Sequence, residues 1–340
     1  MKHFLNLHNP DLWIFLLVLC TIHGVSFQIM DGMPATTSVD SETYLGLAHF
    51  DFDQNVVRKY RVIIPFLAAG VHFLVGNLFD KIKPWSFPGD FGMSMSFLIV
   101  NNILVAYWGV LVYKFVRQHT RTAWAAGIGL LSAITCRWVG LLSGLPFVDS
   151  LYWVIVMWTL LGIKTQDRRM LMAAIFIGPW AKESFIFLAP IIFFFGPMPK
   201  KQQLFLFALS GLIVFSGRYL IDSFGSGSLQ TALLADMAHL HEIPISLKRL
   251  FSVHGLYEIF SVTGFWCLLL IPAVIYKKLP LIINRIDAYL GWFIVSVVVH
   301  ALLSTELARM LMLALPVLAV VWALCAERLL PEVWTDGTGQ

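Results

Sequence analysis

The chain has 340 residues, of which 58% are hydrophobic and only 13% charged, with a mean hydropathy of +0.77. So apolar a composition excludes a water-soluble domain, and repeated stretches near the roughly 20-residue length of a bilayer span indicate a polytopic helical membrane protein. The net charge of +4 lies mostly between the apolar runs, as basic cytoplasmic loops do, and gives no reason to expect a nucleic-acid partner.

The runs lack the apolar/polar alternation of an outer-membrane barrel, so the expected class is all-α, a single integral membrane domain over residues 1–340. In chain order they cover about 12–30, 91–113, 122–137, 150–163, 169–180, 184–196, 203–220, 254–276, 288–303 and 308–325, which predicts ten transmembrane helices. Residues 12–30 lack a small-x-small cleavage site and are read as the first helix. Cys20, Cys136, Cys267 and Cys325 lie in or beside these runs without CxxC or Cys/His spacing, so they are expected to be packed apolar side chains.

Four basic clusters, Lys114/Arg117/Arg121, Lys164/Arg168/Arg169, Lys200/Lys201 and Lys277/Lys278/Arg285, fall at alternate ends of the runs. The positive-inside rule then puts them, and both termini, in the cytoplasm. Residues 61–79 are apolar enough for another crossing, but a crossing there would invert every later cluster. They are therefore expected to form an interfacial or re-entrant helix within a first outer loop, 31–90; a second large outer loop covers 221–253. The runs 169–180 and 184–196 are read as two helices rather than one, since only then do Arg168/Arg169 and Lys200/Lys201 share a side.

On this map the acidic residues gather on the outer face, and ionisable groups at one membrane depth suggest a functional site. Ser38 is placed to cap a helix starting near Asp40, with Asp40, Tyr44 and Leu47 sharing one face; Asp40 and Glu42 also suit a helix N-terminus through its dipole alone. Lys59-Tyr60-Arg61 leads into the 61–79 segment, and Pro146-Phe147-Val148-Asp149 adds an acid at the same depth. Trp180-Ala181-Lys182-Glu183-Ser184 puts an opposite-charge pair at a helix break, where the two either neutralise each other or serve a site. Glu306 and Arg309 stand one helical turn apart, able to pair with each other, and an arginine there suits phosphate through its planar fork of donors. His239, His241 and Glu242 have the wrong spacing to converge on a metal from a helix, and the serines of 223–228 read as loop.

Taken in order and sidedness, the Asp-x-x-x-Tyr segment, Tyr-Arg-Val-Ile-Ile-Pro, Pro-Phe-Val-Asp, the Lys-Glu break and Glu-x-x-Arg before a Leu-Pro helix resemble the GT-C superfamily of polyprenyl-phosphate-sugar-dependent glycosyltransferases, nearest to small bacterial mannosyltransferase-like members. The resemblance covers about residues 30–320 loosely. It implies inverting sugar transfer from a polyprenyl-phosphate donor to a hydroxyl on a glycan, lipid or protein acceptor, on the extracytoplasmic side of a bacterial inner membrane, in the making of a cell-envelope glycan. By similarity Asp40 is the general base, with a pKa raised by the membrane setting and Glu42 as the rival choice. Arg309, Lys182 and Arg61 would bind the donor phosphate, and Tyr44, Asp149, Glu183 and Glu306 would orient these cations or hold sugar hydroxyls. The chain departs from larger members in lacking a soluble outer domain and adjacent paired acids. No cofactor is implied; a divalent metal, used by some relatives, would find oxygen ligands in Asp40 and Asp149. The alternatives are a transporter or flippase of a lipid-linked or anionic substrate, with Arg218 and His300 as its deep ionisable residues, and a non-catalytic subunit on the same scaffold.

Overall fold

A computed structural model describes residues 9–33, 36–54, 58–83, 87, 89–225, 239–304 and 306–329, and among them the regular structure is entirely helical. Residues 226–238 of the second outer loop, Ser226 and Ser228 among them, and Trp85 in the first lie outside the described residues. The helices are α1 (Pro10–Gly32), α2 (Val39–Ala48), α3 (Ile63–Lys81), α4 (Phe91–Arg117), α5 (Ala123–Ile134), α6 (Arg137–Gly144), α7 (Asp149–Thr165), α8 (Arg168–Ala181), α9 (Ala189–Phe195) and α10 (Lys200–Asp222). They continue as α11 (Ile243–Leu250), α12 (Val253–Thr263), α13 (Leu270–Ile275), α14 (Leu279–Ile283), α15 (Ala288–Leu302), α16 (Leu307–Leu311) and α17 (Leu315–Leu329).

Helices α4 and α7, with the stretch from α16 to α17, form the buried centre. Around them α1, α3, α10 and the stretch Val253–Ile275 turn apolar side chains outward, among them Phe73, Leu74, Phe215, Tyr219, Val253 and Ile275. An apolar outer surface this extensive is stable against lipid rather than water, as in an integral membrane protein.

Every predicted apolar run is helical, yet fewer are long enough to span than expected. Among the described residues six helical stretches reach that length, Pro10–Gly32, Ile63–Lys81, Phe91–Arg117, Lys200–Asp222, Val253–Ile275 and Leu307–Leu329; a seventh arises if α5 and α6, bent by 56°, count as one. The shortfall has local causes. The extended Cys136 separates α5 from α6, α8 stops at the extended Lys182, and α15 has only 15 residues. Of residues 61–79, expected to form an interfacial or re-entrant helix, those from Ile63 on belong to the unbroken 19-residue α3, which by length and composition is long and apolar enough to cross. Asp80 accepts the Gly92 N–H at 3.2 Å and holds the end of α3 against the start of α4.

Charged groups separate to the two ends of α7, about 24 Å apart at 1.5 Å per residue. At its C-terminal end Lys164 and His119 both reach Asp287, at 2.7 and 3.1 Å, while nearby loops are tied by Glu327, which accepts the Arg121 and Thr122 N–H groups. At its N-terminal end lies the network described next.

Candidate functional site

Asp40 is placed by its helix cap. The Ser38 hydroxyl accepts the Ser41 N–H at 3.2 Å while the Ser41 hydroxyl accepts the Ser38 N–H at 3.2 Å, a reciprocal box that satisfies donors otherwise orphaned at a helix start. With α2 started there, the 3.6-residue repeat turns Asp40, Tyr44 and Leu47 inward and leaves Glu42 in solvent. Glu42, the rival acid, thus lies away from the other site residues. Asp40 contacts Arg58 with one carboxylate oxygen and accepts from Arg309 Nη1 at 2.8 Å with the other.

Asp149 opens α7, and its approach is set from α4. Buried Asn101 donates to the carbonyls of Leu145 and Phe147, at 3.2 and 3.1 Å, and accepts from the Ser150 hydroxyl at 2.6 Å. One amide side chain thereby satisfies a turn that would otherwise leave backbone groups unpaired in an apolar core. The turn holds Asp149 between Lys182, 2.9 Å from Oδ1, and Arg309 Nη2, 2.5 Å from Oδ2. The Arg309 guanidinium also lies over the Phe147 ring, 4.8 Å from its centroid, and its Nη1 reaches Glu306 at 2.6 Å.

The break after α8 supplies the third element. Pro179 lies within its last turn, Lys182 is extended, and the chain resumes as a short 3-10 turn at Glu183–Phe187. A Cβ on Gly178 would stand 2.2 Å from the Phe185 ring, so this fold-back requires glycine there. Lys182 turns to Asp149, whereas Glu183 turns the other way and pairs with Arg61, whose Nη1 donates to the Tyr44 hydroxyl at 2.7 Å. Below the break Tyr152 donates to the Ser184 carbonyl at 2.9 Å, and the Ser184 hydroxyl meets His300 Nε2 at 2.8 Å.

The structure therefore gathers Asp40, Tyr44, Arg61, Asp149, Lys182, Glu183, Glu306 and Arg309 into one connected, mostly buried network. Each of the cations Arg58, Arg61, Lys182 and Arg309 is matched by a carboxylate from Asp40, Asp149, Glu183 and Glu306. The pairing reverses one expectation. Burial pushes the Asp40 carboxyl up, but the Arg309, Arg58 and Arg61 guanidiniums outweigh it and hold its pKa below the ordinary value, not above. With Arg309 in place Asp40 is a weak proton acceptor.

Sequence reasoning missed Arg58, Asn101 and Tyr152. Arg58 stands in the charged run just before the 61–79 segment, and nothing in its spacing pairs it with Asp40. Asn101 was findable, since two adjacent asparagines inside an apolar span demand partners. Among the described residues no three His, Cys, Asp or Glu side chains group as metal ligands, and Asp40 and Asp149 both turn to Arg309. No protein-family model, curated protein or solved structure matches this chain.

Proposed function

We propose that the protein is a membrane glycosyltransferase of GT-C type that moves a sugar from a polyprenyl-phosphate donor to an acceptor hydroxyl on the extracytoplasmic face. The observation that supports this reading is the buried contact of Arg309 with both Asp40 and Asp149, three residues from distant parts of the chain. A carboxylate able to take a proton once it is released from Arg309 thus sits beside a guanidinium suited to hold a phosphate, the two groups that inverting transfer needs.

In this reading the donor phosphate competes for Arg309, with Lys182 and Arg61 nearby, and weakens the hold of Arg309 on Asp40. Asp40, so released, takes the proton of the acceptor hydroxyl as its oxygen attacks the anomeric carbon from the face opposite the phosphate. The bond from that carbon to the phosphate oxygen breaks, its electron pair leaves with the phosphate, and the cations stabilise the charge. Glu183 and Asp149 hold Arg61 and Lys182 in position. The ten apolar runs, with the short α7, α8, α9 and α15 helices among them, suit a bundle in which some helices enter only part of the bilayer.

A second reading, a transporter of a lipid-linked substrate, draws on the burial of Asp149, Lys182 and Arg309, because such a protein needs ionisable groups within the bundle. Oriented vesicles supplied with radiolabelled polyprenyl-phosphate sugars and a lipid extract separate the two. Label transferred to a new acceptor supports the transferase; label that crosses still attached to its polyprenyl phosphate supports the transporter.

A further inference from the structure

Arg218 lies near the end of α10, on the side of that helix facing Tyr60. Its guanidinium stacks on the Tyr60 ring, 4.7 Å from the centroid, and its buried Nε has no hydrogen-bond partner among the described residues. The carboxylate one turn along, Asp222, is already engaged, 2.6 Å from Lys59 Nζ and accepting from the Tyr60 hydroxyl at 2.8 Å. Arg218 is thereby left without a carboxylate partner among the described residues, whereas Arg309 in the neighbouring network contacts three.

An arginine at membrane depth with unused donors is costly, and stacking on one tyrosine offsets only part of that cost. A tethered anion would supply both the counter-charge and the acceptor that the Arg218 guanidinium lacks. The surroundings indicate what carries it: Leu212, Phe215, Tyr219 and Leu220 on the same helix are exposed apolar side chains, a surface for a hydrocarbon chain rather than for a soluble ion.

We propose that Arg218, stacked on Tyr60 and freed from Asp222 by Lys59, is a binding site for the phosphate of a membrane lipid, with the lipid chain along the exposed face of α10. The site is separate from the Arg309 network and does not depend on what that network catalyses. It begins one residue before Arg61, so a lipid phosphate held there lies beside the proposed donor site without competing with its carboxylates.

The test is photo-crosslinking in the full-length protein with a benzophenone amino acid in place of the exposed Tyr219. Four lipids are offered: polyprenyl phosphate, phosphatidylglycerol, uncharged polyprenol and diacylglycerol. The phosphate-bearing lipids should be captured in preference, and Arg218→Gln should reduce that preference about tenfold, the scale of one lost charge-assisted contact. Arg218→Lys should retain part of it, which separates loss of the charge from misfolding. Preference for polyprenyl phosphate identifies the transfer donor as the occupant, and equal capture of both phosphate lipids identifies the general anionic lipid. Equal capture of charged and uncharged lipids overturns the site, as does a preference that survives Arg218→Gln. Loss of capture on adding inorganic phosphate contradicts a lipid-borne ligand.

Discussion

Lys182 and Glu183 are adjacent in the chain yet serve opposite walls of the network, Lys182 reaching Asp149 at 2.9 Å and Glu183 pairing with Arg61. The extended backbone at Lys182 turns the two side chains apart, so a pair able to neutralise itself instead joins α7 to the entry of α3. The helix break is therefore what assembles the site, and the cations on either side of it are fixed by different acids.

Breaking that arrangement at a buried cation should cost more than the pair contributes. Lys182→Met leaves Asp149 with Arg309 alone, and Arg309→Gln leaves both Asp40 and Asp149 short of a counter-ion. Stranding a buried charge costs about 3–5 kcal/mol. Thermal unfolding in detergent should show a large loss for Arg309→Gln, a smaller one for Lys182→Met, and no change for the exposed Glu42→Gln.

The turn carrying Asp149 depends on Asn101. Replacement by Leu removes the amide that satisfies the Leu145 and Phe147 carbonyls and the Ser150 hydroxyl, at about 1–3 kcal/mol for the unsatisfied groups. Asn101→Leu should lower the unfolding temperature and speed amide hydrogen exchange across residues 145–150, with the exchange at α2 unchanged.

Gly178 should not tolerate a methyl group. Its Cβ would meet the Phe185 ring at 2.2 Å, and that ring packs beneath the break, so it cannot swing away freely. Gly178→Ala should destabilise by about 1–3 kcal/mol, as overpacking does. It should also loosen the break, seen as increased reactivity of Lys182 toward an amine-directed label.

The opposite end of α7 carries a pH dependence. Burial holds the His119 pKa below its ordinary value of 6.5, aided by Lys164, although the Phe115 carbonyl and Asp287 act to raise it. The unfolded chain therefore takes up a proton at higher pH than the folded one, so stability is full above about pH 6.5 and falls as the pH drops toward the lowered native value. Unfolding temperatures at mildly acid and mildly alkaline pH should diverge in wild type and converge in His119→Gln.

Much of the site was legible because it rests on local rules. Ser38 marks the start of α2, the 3.6-residue repeat puts Asp40, Tyr44 and Leu47 on one face, and the charged pair after Pro179 marks the end of α8. The same repeat turns Glu42 to the exposed side of α2, since two residues along a helix turn a side chain to the far side. The number of spanning helices was not legible from apolarity. Helix ends at Cys136 and Lys182 depend on how α5, α6 and α8 pack, and α3 has flanking charges that suit either an interfacial or a crossing helix. The partners of Arg309 were not legible either: Asp40, Asp149 and Arg309 are separated by more than a hundred residues at each step, and no spacing rule links them. The lowered pKa of Asp40 follows from that contact.

The most direct measurement compares sugar transfer from radiolabelled polyprenyl-phosphate donors by wild type, Asp40→Asn and Glu42→Gln, each shown to be inserted and folded. Loss of a general base costs about 100- to 10,000-fold. The account predicts such a loss for Asp40→Asn and near wild-type transfer for Glu42→Gln. A stable Asp40→Asn protein that transfers sugar at the wild-type rate, or a wild type that transfers none from any donor, would contradict it.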